Sequence, residues 1–287
     1  MLEPGDIVDA YEVESLIGEG GMALVYRVRH QPSGVHHALK VLHVRVPTIR
    51  LRLLREARLQ AALCHPNLVA VSDLIEVHRT PGLVMDFVEG PTLEGVLLEG
   101  PLDLTKANQV FCGVAEGVSA AHQAEFVHRD LKPANVLLSR QGYGVVPKVC
   151  DFGVAKVLGT GARDGIKTVS GVGVGTPGYM APEQIVDSAT VDARADVFAL
   201  GSIAYEMLVG SMAFGGEFPV DIFNATCAGR YKPLPDVIPP EVGEVVACAL
   251  SVEASRRYPS AAEMLKAWHL ATVGLPDPVW PTRWFKT

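Results

Sequence analysis

The chain has 287 residues, enough to bury one large core or two smaller ones. Hydrophobic residues make up 48% and charged residues 20%, an ordinary globular balance that excludes a disordered or fibrous chain. The net charge of −7 comes without a basic block, which argues against nucleic acid or an anionic membrane as the main partner.

The cysteines Cys64, Cys112, Cys150, Cys227 and Cys248 are scattered and odd in number. They suggest neither a disulfide framework nor a zinc site, and a reducing cytoplasmic setting fits best. The start lacks a basic region followed by an apolar core, so it does not read as a signal peptide. No run of 18 apolar residues is available to span a membrane.

Residues 11–17, 24–29 and 35–42 read as three strands, rich in β-branched and aromatic side chains. The turn between the first two is Gly18-Glu19-Gly20-Gly21-Met22-Ala23. Such a glycine-rich turn lets backbone N–H groups approach a phosphate closely, although many are plain hairpins. The third strand carries Ala38-Leu39-Lys40; alone, Lys40 reads equally well as an exposed strand lysine. Residues 47–63 have helical spacing, with Leu51, Leu54, Ala57 and Ala61 on one stripe and Glu56 among arginines. Residues 69–77 and 83–88 read as strands, the second running into a polar turn at Glu89-Gly90-Pro91-Thr92. Residues 104–125 form an apolar-periodic helix that delivers the chain to His128. Later helices are expected at 196–209, 219–230, 240–249 and 261–270. The tail from Val273, with Pro276, Pro278, Pro281, Trp280 and Trp284, reads either as a docked strap or as the start of a linker.

Three stretches carry chemistry. His128-Arg129-Asp130-Leu131-Lys132-Pro133-Ala134-Asn135 packs an Asp, a Lys and an Asn into six positions before an apolar run. Asp151-Phe152-Gly153 follows sixteen residues after Asn135. Gly175-Thr176-Pro177-Gly178-Tyr179-Met180-Ala181-Pro182-Glu183 comes later. Together they resemble the catalytic, metal-binding and substrate-seating segments of the eukaryotic-like (Hanks-type) Ser/Thr protein kinases, most closely their bacterial branch. The resemblance covers residues 11–270. It implies an α+β, two-lobed protein kinase fold. A small, mainly antiparallel β lobe (11–88) with one key helix would join at a hinge (86–92) to a larger helical lobe (93–270), with the nucleotide cleft between them and a tail at 271–287.

The resemblance also implies roles. The reaction would move the γ-phosphoryl group of ATP, with Mg²⁺ (Mn²⁺ as an alternative), to Ser or Thr hydroxyls of proteins. Asp130 would be the catalytic base, Lys132 would neutralise the transferring phosphate, and Asn135 and Asp151 would hold the metal. Lys40 would grip the phosphates, held by Glu56. Ile17, Gly18, Glu19, Gly20, Gly21 and Val25 would cover the nucleotide, and Ala38, Met85 and Leu137 would line the adenine. Asp86 and Val88 would offer it backbone groups. Thr176 would bond Asp130 and Lys132, Asp196 would cap the catalytic loop, and Glu183 would pair with Arg257. Arg129 beside the base implies control by phosphate on the activation loop, with Thr168 and Ser170 as sites of autophosphorylation. Protein substrates, the chain itself and a homodimer through the first lobe are the implied partners.

Three departures motivate a second reading, a pseudokinase acting as a nucleotide-dependent binding module: Ala23 at the third glycine position, His37 where an apolar residue is usual, and Gln60 beside the expected place of Phe152. Ala134 and Gly178 stand where Arg-directed kinases often carry Glu, so no strong demand for basic residues ahead of the acceptor is expected. A short form and a fragment of a longer receptor-type kinase both remain open.

Overall fold

The computed structural model describes residues 1–20, 23–42, 60–142, 144–152, 177–186 and 191–285. The chain divides into two units, Met1–Val88 and Glu89–Thr287.

The first unit is built on a six-stranded sheet of β1 (Ile7–Val8), β2 (Tyr11–Gly20), β3 (Ala23–His30), β4 (His36–Leu42), β5 (Val71–Val77) and β6 (Thr80–Asp86), in the order β1-β2-β3-β4-β6-β5. Every adjacent pair is antiparallel. Alternation along the strands sorts the side chains onto two faces. Leu24, Tyr26, Val28, Leu39, Val41, Val84, Ile75 and Val77 bury one face as a single apolar core. The residues ahead of Tyr11 join it: Leu2 lies in the same core, and its N–H donates to the Tyr26 hydroxyl at 3.1 Å.

β2 and β3 reach further than their composition suggests. Pairing continues through Gly18↔Val25, Glu19↔Leu24 and Gly20↔Ala23, so Ala23 is a strand residue rather than part of a wide turn. Register shifts between Val13 and Ser15, and between Leu16 and Gly18, bend the ribbon on the way.

The second unit is helical around α4 (Ala193–Val209), with α1 (Leu93–Leu97), α2 (Leu104–Gln123), α3 (Pro182–Val186), α5 (Pro219–Cys227), α6 (Pro240–Ala249) and α7 (Ala261–Ala271). Asp192 caps the start of α4 through its carboxylate, and Gly210 ends it at φ 78°. Nearly every side chain of α4 from Ala195 to Leu208 is buried, as expected of a helix apolar all round. Gly201 lets α6 come close: a Cβ there would stand 2.8 Å from that of Ala249. On α2, Phe111 stacks on Trp268 of α7 at 4.0 Å, and the indole donates to Asn108 at 2.9 Å.

A two-stranded sheet, β7 (Val136–Gln141) with β8 (Gly144–Val149), packs through β8 against α2. Gly90 is required beside it. Its φ is 154°, and a Cβ would fall 1.9 Å from the Leu138 carbonyl oxygen.

The tail is docked. Trp280 is buried and donates to Gln109 on α2 at 2.6 Å, while Arg283 and Trp284 both donate to Glu99.

Candidate active site

The loop between α2 and β7 is held from below by one carboxylate. Asp196, on the first turn of α4, is 1% exposed. Its Oδ2 accepts from the His128 N–H at 2.7 Å and from His122 Nε2 at 2.9 Å, and its Oδ1 accepts from the Arg129 N–H at 2.9 Å. Burial pushes the Asp196 carboxyl up, but the His122 hydrogen bond and charge and the Arg129 amide outweigh it and hold it below the usual range. The Arg129 backbone sits in the left-handed region at φ 68°, a conformation that needs such fixing. Gln184 adds a further tie, its side-chain amide donating to the Arg129 carbonyl at 2.8 Å.

His128 is fully buried and links two stretches. Its Nδ1 accepts from the Asp130 N–H at 3.3 Å and its Nε2 donates to the Cys150 carbonyl at 2.9 Å, which defines a neutral ring. Phe152 packs against that ring, centroid to centroid 4.4 Å. Asp151, between Cys150 and Phe152, is also left-handed, at φ 66°.

Above this support Asp130, Lys132 and Asn135 converge. The Lys132 ammonium lies 3.1 Å from the Asp130 carboxylate. Asn135 Nδ2 donates to the Asp130 carbonyl at 2.7 Å and lies 3.5 Å from its carboxylate. Proline at the first position of the 3₁₀ turn Pro133–Asn135 presets this geometry. The β7–β8 register then brings Asn135 and Asp151 to one end of the small sheet: Val136 pairs Val149, and the Cys150 N–H donates to the Asn135 carbonyl at 3.0 Å. With its amide nitrogen given to Asp130, Asn135 presents a side-chain oxygen, as Asp151 presents carboxylate oxygens. Both are the hard donors that Mg²⁺ takes. Among the described residues no group of three or more His, Cys, Asp or Glu gathers as a metal cage. A cation here would need phosphate or water oxygens as well.

In the first unit, the face of the sheet opposite the apolar core carries Gly18, Val25, Ala38, Lys40 and Met85 of the expected nucleotide residues. Gly18, Val25, Lys40 and Leu83 stand in one row across four strands, and Ala38 pairs Met85 one step along. Lys40 is 8% exposed and Met85 is buried, while Ile17, Glu19 and Asp86 are exposed. The Asp86 N–H donates to the Ala70 carbonyl at 3.0 Å. Val88 is half-buried at the end of this unit. Gly18 and Gly20 have no positive φ, and a Cβ on either meets nothing closer than 3.5 Å. The fold itself therefore makes no demand for glycine at either place. Leu137 belongs to the second unit, where it bridges Thr92. Gln60 is buried. Gly21, Glu56, Thr168, Ser170 and Thr176 lie outside the described residues.

The segment Pro177–Glu183 is anchored on both sides. Arg257, buried, grips Glu183 with both terminal nitrogens at 2.7 and 2.8 Å, and its guanidinium lies 4.9 Å over Phe198. Tyr179 donates its hydroxyl to Glu206 of α4 at 2.5 Å. Burial raises Glu206, aided by Glu94 and opposed by the Tyr179 hydrogen bond. The Tyr179–Glu206 pair was not legible beforehand, because nothing in either residue's spacing points to the other. The caps on Asp196 and the Glu183–Arg257 pair were.

This architecture and this loop define a protein kinase domain. The sequence model of the protein kinase domain matches residues 11–269, and the chain belongs to that family. It is 36% identical over 277 residues to the serine/threonine-protein kinase PknB of Mycolicibacterium smegmatis, covering 92% of this chain and 43% of that one. It is 35% identical over 297 residues to the serine/threonine-protein kinase pkn2 of Myxococcus xanthus, covering 98% and 36%. The chain thus spans less than half the length of these curated relatives. Among solved structures, the Mycobacterium tuberculosis PknI kinase domain superposes with TM-score 0.73 at 25% identity, covering 95% of this chain and 99% of that one. Rad53 in complex with AMP-PNP superposes with TM-score 0.75 at 25% identity, covering 90% and 65%.

Proposed function

We propose that this chain is a Ser/Thr protein kinase that transfers the γ-phosphoryl group of ATP to protein hydroxyls. The observation that carries the reading is the convergence of Asp130, Lys132 and Asn135 on a loop whose backbone is pinned by Asp196. Asp130 takes or orients the proton of the attacking Ser or Thr hydroxyl, the oxygen bonds to the γ-phosphorus, and ADP departs. Lys132, already paired with Asp130, neutralises charge on the moving phosphoryl group. Asn135 and Asp151 hold Mg²⁺, or Mn²⁺ in its place. When bound, the metal supplies charge neutralisation at the phosphate oxygens. Lys40 holds the phosphates, with Glu56 as its partner. Gly18, Gly20 and Gly21 bring backbone N–H groups to them, which accounts for glycine at positions 18 and 20, where the strand pairing does not require it. Ile17, Glu19, Val25, Ala38, Met85 and Leu137 surround the nucleotide, Asp86 and Val88 meet the adenine through their backbones, and Thr176 seats the acceptor.

The chain also phosphorylates itself, on Thr168 and Ser170, with Arg129 as the group that reads the phosphate. Two copies of the chain pair through the first lobe. ATP supply and five unbridged cysteines suit a cytoplasmic setting. No helix among the described residues is long and apolar enough to cross a membrane.

The test is incubation with γ-labelled ATP and Mg²⁺, followed by phosphoamino-acid analysis of the chain and of a generic protein substrate. Phosphoserine and phosphothreonine are expected. Label confined to tyrosine, or none at all, contradicts the reading.

A further inference from the structure

A cavity of about 690 Å³ opens beside the substrate-seating segment, lined by residues to which no catalytic or nucleotide-binding role is given above. Its floor is aromatic. Tyr205 of α4 is buried, and Tyr231 stands edge-on to it at 6.0 Å and to Phe214 at 5.5 Å. Met212 and Ser211 form one wall. The other wall is set by the end of α5, which closes in a Schellman motif: Gly229 has φ 63°, its N–H donates to the Thr226 carbonyl at 3.1 Å, and the Arg230 N–H donates to the Ala225 carbonyl at 2.9 Å. That motif fixes Arg230 and, after Tyr231, Lys232 at the mouth.

Two features point to one occupant. Arg230 and Lys232 are exposed, and neither is paired with a carboxylate among the described residues, in a chain with 32 acidic against 25 basic side chains. The Met212 wall touches the substrate-seating segment: a Cβ on Gly178 would stand 2.9 Å from Met212 Sδ and 3.6 Å from the Phe214 carbonyl oxygen. The cavity therefore adjoins that segment at Gly178.

We propose that this cavity is a docking pocket for an acidic stretch of the protein substrate. A Glu or Asp carboxylate sits between the Arg230 guanidinium and the Lys232 ammonium, with Ser211 as a further donor, and a neighbouring apolar side chain rests on Met212 and Tyr231. The proposal rests on the kinase reading and adds a substrate class to it. Charge at the rim selects acidic sequences, and the aromatic floor supplies apolar contact.

The probe is a fluorescein-labelled peptide with one Ser and a run of Glu residues. It is compared with the same peptide carrying Gln in the run and with one carrying phosphoserine there. Anisotropy titration of the full chain at low salt should give a dissociation constant at least about fivefold lower for the Glu peptide than for the Gln peptide. The difference should collapse near 1 M salt and vanish in Arg230→Glu/Lys232→Glu. Both side chains are exposed, so the melting temperature should not move, and Arg230→Gln/Lys232→Gln provides a milder variant. Equal binding of the Glu and Gln peptides, or an unchanged Glu preference in the double variants, overturns the pocket. Binding confined to the phosphoserine peptide overturns the stated occupant. Phosphate transfer keeps the two readings apart. Transfer to the Gln peptide at the wild-type rate by the double variant is expected, whereas absence of transfer to any peptide by either protein overturns the kinase reading itself.

Discussion

Replacing Asp196 with Asn should unfasten the catalytic loop while changing no group that would touch substrate. The carboxylate accepts three hydrogen bonds in a site closed to water. Asn keeps one acceptor, for the Arg129 N–H, and sets an amide NH₂ against the His128 N–H or against His122. Two charge-assisted bonds are lost at about 1.5–3 kcal/mol each, so the expected loss is roughly 3–6 kcal/mol, a large part of a typical domain's stability. Urea unfolding should show a lower midpoint with an unchanged slope. Phosphate transfer should fall by about 10²-fold if Asp130 shifts by an ångström. The pH dependence has a defined sign. The folded pKa of Asp196 lies below its unfolded value, so its contribution is full above the unfolded carboxylate value near ~3.9 and is lost as pH falls through the lower folded value. The variant should lack that part of the acid limb. Unfolding within about 0.5 kcal/mol of wild type, together with an unchanged transfer rate, would refute the view that Asp196 holds the loop.

Three further substitutions probe other joints. Gly90→Ala places a methyl group on the Leu138 carbonyl at a φ that L residues avoid, and should destabilise by roughly 3 kcal/mol in thermal or urea unfolding. Arg257→Lys keeps the charge but not the two-pronged grip on Glu183 or the tie to the Arg194 carbonyl; a clear drop in melting temperature is expected, and none would show the fork to be dispensable. Tyr179→Phe removes the hydrogen bond that opposes burial at Glu206. The carboxyl pKa should therefore rise further, read by NMR titration, and a fall would contradict the assignment.

How much of this was readable beforehand depends on residue type. The loop around Asp130 and the segment around Glu183 were legible because charged and amide residues at fixed short spacing have few uses besides chemistry. The cap that Asp196 puts on the loop and the Glu183–Arg257 pair were expected from the family resemblance those motifs carry, not from spacing. Elements without a pattern were missed. β8 contains Pro147 and begins at Gly144, both of which argue against a strand, yet its single partner β7 leaves an edge on which a proline is tolerated. α1 is five residues long, too short for a periodic stripe, and is announced only by the Thr92 cap. β1 is two residues long and exists through pairing with β2. The extension of β2 and β3 to Gly20 and Ala23 overrides glycine's poor strand propensity through ladder pairing. The tail was ambiguous because the partners of Trp280 and Trp284, Gln109 and Glu99, lie far away in sequence. Long-range polar partners leave no local trace.

The central claim is phosphoryl transfer centred on Asp130, and Asp130→Asn tests it most directly. Wild type and variant would be compared for incorporation of γ-labelled phosphate with Mg²⁺, for ATP binding by calorimetry, and for melting temperature. The account predicts label on Ser or Thr for the wild type, a loss of about 10²–10⁴-fold in rate for the variant, and unchanged nucleotide affinity and stability. A variant as active as the wild type, or a wild type that binds ATP yet transfers nothing, would contradict it; the second result would favour a nucleotide-dependent binding module.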